Sequence, residues 1–168
     1  MKSSVRAFLA FLAFLVASAP VQAAIEVAFI DPGDYTDASI RNGPFSSTGF
    51  GTISGLRAHI MRLGNQYLSP KENLRIEVLD VDLAGRYEWW RFPFDARIMS
   101  DSTWPAIKVR YVYIVNGKKV DEGEEHITDQ NYLLRAGAGA SGDSLKYEKA
   151  MLDRWFRTHF GDQAATKK

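Results

Sequence analysis

Residues 104–128, WPAIKVRYVYIVNGKKVDEGEEHIT, decide the fold, because their local signals agree on a β-hairpin. Over 107–115 the residues are mostly β-branched or aromatic, the types that suit a pleated, half-buried surface. Asn116-Gly117 can take the two positive φ angles of a type I′ turn, whose twist matches that of paired strands. A two-residue turn sets Val115 opposite Lys118. Counting outward then pairs Tyr113 with Val120, Tyr111 with Glu122, Val109 with Glu124 and Lys108 with Glu125. The period of two puts Ile107, Val109, Tyr111 and Tyr113 on one face, directed at a core.

Working outward, 74–84 (LRIEVLDVDLA) reads as a strand whose apolar side switches: Ile76 and Val78 alternate with Glu77, but Val81 and Leu83 fall on the other parity, with Asp80 and Asp82 between. A bulge near Val78 would account for the switch, as would a central strand that leaves the core at one end. Further upstream, 25–30 (IEVAFI) is a short strand ended by Asp31-Pro32-Gly33. Between the two, Phe50, Ile53, Leu56, Ile60, Leu63 and Tyr67 recur at steps of three and four, one stripe of a helix that Pro70 closes. Strand, helix and strand in this order imply a parallel pair with a right-handed crossover. Downstream, 129–135 leads into a glycine-rich connector. A last helix over 145–160 carries Leu145, Met151, Leu152, Trp155 and Phe156 on one arc, with Asp143 or Ser144 as its cap. The expected architecture is an α/β two-layer sandwich, a mixed sheet of about four strands with two helices packed on one face. It occupies 24–160 as one domain, with 161–168 as a flexible tail.

The chain begins with Lys2 and Arg6, an apolar run, and the small-residue pattern Val21-Gln22-Ala23, the layout of a secretory signal peptide over 1–23. The apolar run is shorter than the roughly 20 residues that cross a bilayer. Cleavage after Ala23 leaves 168 − 23 = 145 residues and 19 − 20 = −1 net charge, since two of the 21 basic residues and none of the 20 acidic ones are removed. That balance gives no reason to expect a nucleic-acid partner. The chain has no cysteine, so thiol chemistry, disulfides and cysteine metal sites are excluded. A periplasmic or secreted protein without a membrane span is the expectation.

The blocks LDVDLAGRYEWW (79–90), DSTWPAIKVRY (101–111), EGEEHITDQNYL (122–133) and LKYEKAMLDRWF (145–156), in that order, resemble the bacterial family catalogued as domain of unknown function 3016. The resemblance spans nearly all of the chain beyond residue 23. It implies an exported bacterial protein and assigns no activity, substrate, cofactor or functional residue.

Two groups of residues carry candidate chemistry. Asp80 and Asp82 project at a two-residue step, and Glu122 and Glu124 lie on the acidic strand of the hairpin; carboxylates so placed can shift one another's pKa or hold a hard cation. The same pattern also suits an edge strand that uses charge against strand addition. Tyr87, Trp89, Trp90, Arg91, Phe92, Phe94 and Arg97 form an aromatic and basic stretch, rich in the types that dominate binding hot spots and stack on sugar rings. Gly137, Gly139 and Gly142 match a dinucleotide fingerprint but precede only one helix, so they read as a linker. His59, His126 and His159 stand apart, and no metal or other cofactor is expected. Two readings follow: a non-catalytic binding or envelope-accessory protein that meets a cell-envelope protein or glycan through 87–97, or a carboxylate-dependent enzyme acting on an envelope polymer such as peptidoglycan.

Overall fold

The computed structural model describes residues 24–38, 50–87, 97–135 and 142–165. The expected signal segment 1–23, most of the aromatic stretch (88–96) and the connector 136–141 lie outside the described residues. The hairpin forms where expected, from β5 (Ala106–Val115) and β6 (Lys118–Thr128) in the chain-order numbering used below. Asn116 and Gly117 hold φ of 53° and 76°, as a type I′ turn requires. Val115 opposes Lys118 and Ile114 opposes Lys119, but a bulge at Val120 then shifts the register. Tyr113 therefore meets Asp121, Tyr111 meets Gly123, Val109 meets Glu125 and Lys108 meets His126, each one residue from the pairing counted off the sequence. The cause is physical. Straight pairing would set Glu122 and Glu124 across from buried Tyr111 and Val109, whereas the bulge moves them opposite Val112 and Arg110 on the open face.

The four-stranded sheet has the order β1-β2-β5-β6, with β1 (Ala24–Phe29) parallel to β2 (Glu72–Asp82) and the other pairs antiparallel. Register slips between Val78 and Asp80, so Leu79 is bulged, and of the two accounts the sequence allows for the switch of apolar side the bulge is the one that forms. Ile76, Val78, Val81 and Leu83 are all buried as a result, and Asp80 and Asp82 fall outside the core.

The helices α1 (Phe50–Tyr67) and α2 (Lys146–Ala165) pack together on one face of the sheet. Their apolar stripes, Leu56, Ile60 and Leu63 against Met151, Leu152 and Phe156, are each 1% exposed or less. Burying such a side chain contributes about 1.5–3 kcal/mol. Asp143 caps α2 by accepting the Leu145 N–H at 2.9 Å, and Lys149 Nζ reaches its other oxygen at 2.6 Å. Hydrogen bonding to Lys149 holds the Asp143 carboxyl below the usual carboxylate range. The helix continues to Ala165, past the end at 160 read from the sequence.

The opposite face of the sheet carries charge. Arg110 joins Glu77 at 2.8 Å and Glu124 at 3.2 Å, Lys108 joins Glu124 at 2.7 Å, and Arg75 joins Glu26 at 2.8 Å. The expected Lys108–Glu125 link does not form, because the bulge turns Glu125 inward. There it accepts the Trp155 indole N–H at 2.7 Å and lies 3.0 Å from His159 Nε2.

Between β2 and the hairpin, where the sequence carries no strand signal, a two-stranded ribbon forms from β3 (Arg86–Tyr87) and β4 (Arg97–Ile98). Gly85 makes the bend into it with φ of 74°, and a Cβ there would come within 2.6 Å of the Ile98 carbonyl oxygen. Only glycine fits both demands.

Candidate functional site

Because β1 and β2 run parallel, the segments that follow them emerge at the same end of the sheet, the end where open sheets hold ligands. After a short excursion past β1 the chain rejoins the end of β2, still parallel to it, at Asp37 opposite Asp82. Asp37 N–H donates to the Val81 carbonyl at 2.9 Å, and Leu83 N–H donates to that of Asp37 at 3.0 Å. Tyr35 donates its hydroxyl to the Val78 carbonyl at 2.9 Å, and burial pushes that phenol up to about 12. These bonds bring Thr36 onto Asp80, where its N–H and hydroxyl each donate to one carboxylate oxygen at 2.7 Å. From the other side come the residues before β5 and, across the hairpin, His126. Together they enclose an open cavity of about 350 Å³, lined among others by Thr36, Asp80, Asp82, Arg86, Trp104 and His126.

The polar groups of this cavity differ in how far the protein uses them. Asp80 also accepts the Val81 N–H at 2.9 Å, so its carboxylate is held in place. The Asp82 carboxylate, the Arg86 guanidinium, the Trp104 indole N–H and the His126 ring make no hydrogen bond or ion pair among the described residues. Burial first, and the nearby charge of Asp37 second, raise the Asp82 carboxyl above its usual range.

The wall behind the cavity is braced by two side chains. Arg97 Nη2 donates to the carbonyls of Leu83 at 3.1 Å and Gly85 at 2.6 Å, and Arg97 Nε to that of Ala84 at 3.1 Å. The same guanidinium pairs with Asp37 at 2.8 Å. Glu148, 2% exposed, accepts the Ala84 N–H at 2.8 Å through Oε1, and its Oε2 has no hydrogen-bond partner among the described residues. Burial raises this carboxyl well above its ordinary range.

The candidate residues read from the sequence are thus distributed unevenly. Asp80 and Asp82 share the cavity. Glu122 does not join them: it pairs with Lys119 at 2.6 Å beside the turn. Glu124 is occupied by Lys108 and Arg110 on the open face. Tyr87 pairs through its backbone with Arg97. Trp89, Trp90, Arg91 and Phe92 lie outside the described residues. Arg97, expected to face a partner, instead has a side chain only 8% exposed, turned into the backbone of 83–85. Thr36, Arg86, Trp104 and His126 also line the cavity, and the sequence does not single them out for it. No local pattern links them, since they meet only through the parallel pairing and the hairpin register. Among the described residues no group of three or more His, Asp or Glu gathers to hold a metal, and no helix is long and apolar enough to cross a membrane.

A family model described as "Protein of unknown function (DUF3016)" matches residues 23–158. No curated protein and no solved structure matches the chain.

Proposed function

The chain belongs to the DUF3016 family, and from that premise we propose that it is a non-catalytic binding or accessory protein of the cell envelope, exported after removal of 1–23. Its partner is recognised through the stretch 87–97, with Tyr87, Trp89, Trp90, Arg91 and Phe92 as contact residues and Arg97 as their anchor. One observation carries the reading. Both ends of the stretch are tied to the domain, by the Arg86↔Ile98 and Tyr87↔Arg97 pairs and by the Arg97 clamp on 83–85. A recognition segment with fixed ends loses less conformational freedom on binding than a free one. The composition supports it too, since arginine beside aromatic rings suits a recognition surface. Capture from envelope extract tests the proposal. Wild-type protein retains a partner that the Trp89→Ala, Trp90→Ala double variant loses; equal capture by both would overturn it.

A second reading is favoured by Asp80 and Asp82 sharing a cavity with His126. In it the protein is a carboxylate-dependent enzyme on an envelope polymer, with Asp82 as its reactive group, because a carboxyl raised by burial suits acid–base work. Release of soluble fragments from purified peptidoglycan, lost on Asp82→Asn, would decide for it.

A further inference from the structure

The cavity at the end of β2 is built from residues outside 88–96, and what it can hold follows from its chemistry. Its volume, about 350 Å³, sits at the small end of ligand sites, which run roughly 300–1,000 Å³. Its lining mixes charges, with the carboxylates of Asp80 and Asp82 beside the Arg86 guanidinium and the His126 imidazole. An anion would meet two carboxylates at close range. A bare cation would meet Arg86, and the described residues hold no metal-ligand cluster. A neutral ligand avoids both penalties.

The groups that make no hydrogen bond among the described residues narrow the class further. Asp82 can only accept when ionised, Arg86 and the Trp104 indole N–H can only donate, and His126 can do either. A ligand that satisfies acceptors and donors set around one small cavity needs polar atoms that do both, which is the property of hydroxyl groups. Trp104 is half-buried at the wall, and Leu83 and Ala106 add apolar lining, so one side of the cavity is a ring and hydrocarbon surface. Sugar rings have that division: hydroxyls around the edge and a C–H face that packs on an indole.

We propose that this cavity is a saccharide-binding site, taking a neutral sugar unit of a glycan between the Trp104 ring and the Asp82, Arg86 and His126 side chains. The inference rests on the reading of the protein as a binding module and adds to it a ligand site distinct from the stretch 87–97. Burial of Asp82 strengthens it, because a carboxylate removed from water makes stronger hydrogen bonds to a ligand hydroxyl.

The test is an NMR titration of ¹⁵N-labelled protein with two neutral probes, an N-acetylglucosamine tetramer and maltotetraose. Magnesium chloride and sodium phosphate serve as charged comparisons. The Trp104 indole N–H resonance should shift saturably with at least one sugar, with Kd on the order of 1 mM or tighter. Asp82→Ala should weaken that binding about tenfold or more, as expected when a hydrogen bond to a charged group is lost. His126→Ala, at an exposed position, should weaken it as well without unfolding the chain. The Trp89→Ala, Trp90→Ala variant should leave the Trp104 shift in place, which separates this site from the stretch 87–97. No saturable shift with either sugar, or a sugar shift that Asp82→Ala leaves unchanged, would overturn the proposal. So would a saturable shift with magnesium or phosphate alone.

Discussion

Two contacts of Trp155 join helix to hairpin and a third lies within the helix. Its ring meets Tyr111 edge-on at 5.8 Å and Phe156 at 5.2 Å, and its indole N–H donates to Glu125 Oε2 at 2.7 Å. At 6% exposure, replacing it by alanine empties a large volume and leaves the Glu125 carboxylate without that donor. Trp155→Ala should cost about 3–5 kcal/mol, read as a lower midpoint in urea denaturation. Glu148 gives a prediction in pH. Burial raises its folded pKa above the ordinary 4.5, so the folded chain keeps a proton that the unfolded chain gives up. The stability this contributes is complete below about 4.5 and is lost as pH rises toward the folded value. The wild type should therefore lose stability relative to Glu148→Gln across that window. A pH series of denaturation curves checks it, and a difference that does not change with pH would contradict the assignment. Neither residue announces its role in the sequence. The helical period marks Trp155 as core, but its hydrogen bond depends on the bulge at Val120, and Glu148 reads as an ordinary helix-surface acid until Ala84 N–H is found beside it.

At the scale of elements, what was legible is what local chemistry determines. The hairpin, its Asn116-Gly117 turn, the bulge in β2 and the stripe of α1 follow from residue types at fixed spacing. The register of β6 was not legible, because a bulge is chosen by which pairing keeps Glu122 and Glu124 off the core, a comparison that needs the opposite strand. The ribbon β3–β4 was not legible either. Two paired residues on each side carry no periodicity, and Arg97 and Gly85, which stabilise the ribbon, act through backbone groups. Gly85→Ala should strain this bend by about 1–3 kcal/mol, the range for a residue forced into an unsuitable backbone region. The measurement is thermal denaturation together with the amide resonances of Arg86 and Ile98, which should shift while those of β5 stay in place.

For the whole molecule, the two-layer arrangement divides the surface into three regions. The helices cover one face of the sheet, a salt-linked charge ladder occupies the other, and the end of β2 is left to the cavity and the ribbon. Exposed ion pairs such as Arg75–Glu26 contribute little stability singly, so the ladder keeps the open face soluble more than it holds the fold. Amino-terminal sequencing of the exported protein should give Ala24 first, and retention of 1–23 would contradict the export reading. Whether the tryptophans of 87–97 serve recognition or the core is read from the denaturation midpoint of the Trp89→Ala, Trp90→Ala variant. A change within about 0.5 kcal/mol, typical of surface substitution, is the predicted result. A loss of about 3 kcal/mol or more, the cost of emptying a core site, would contradict it.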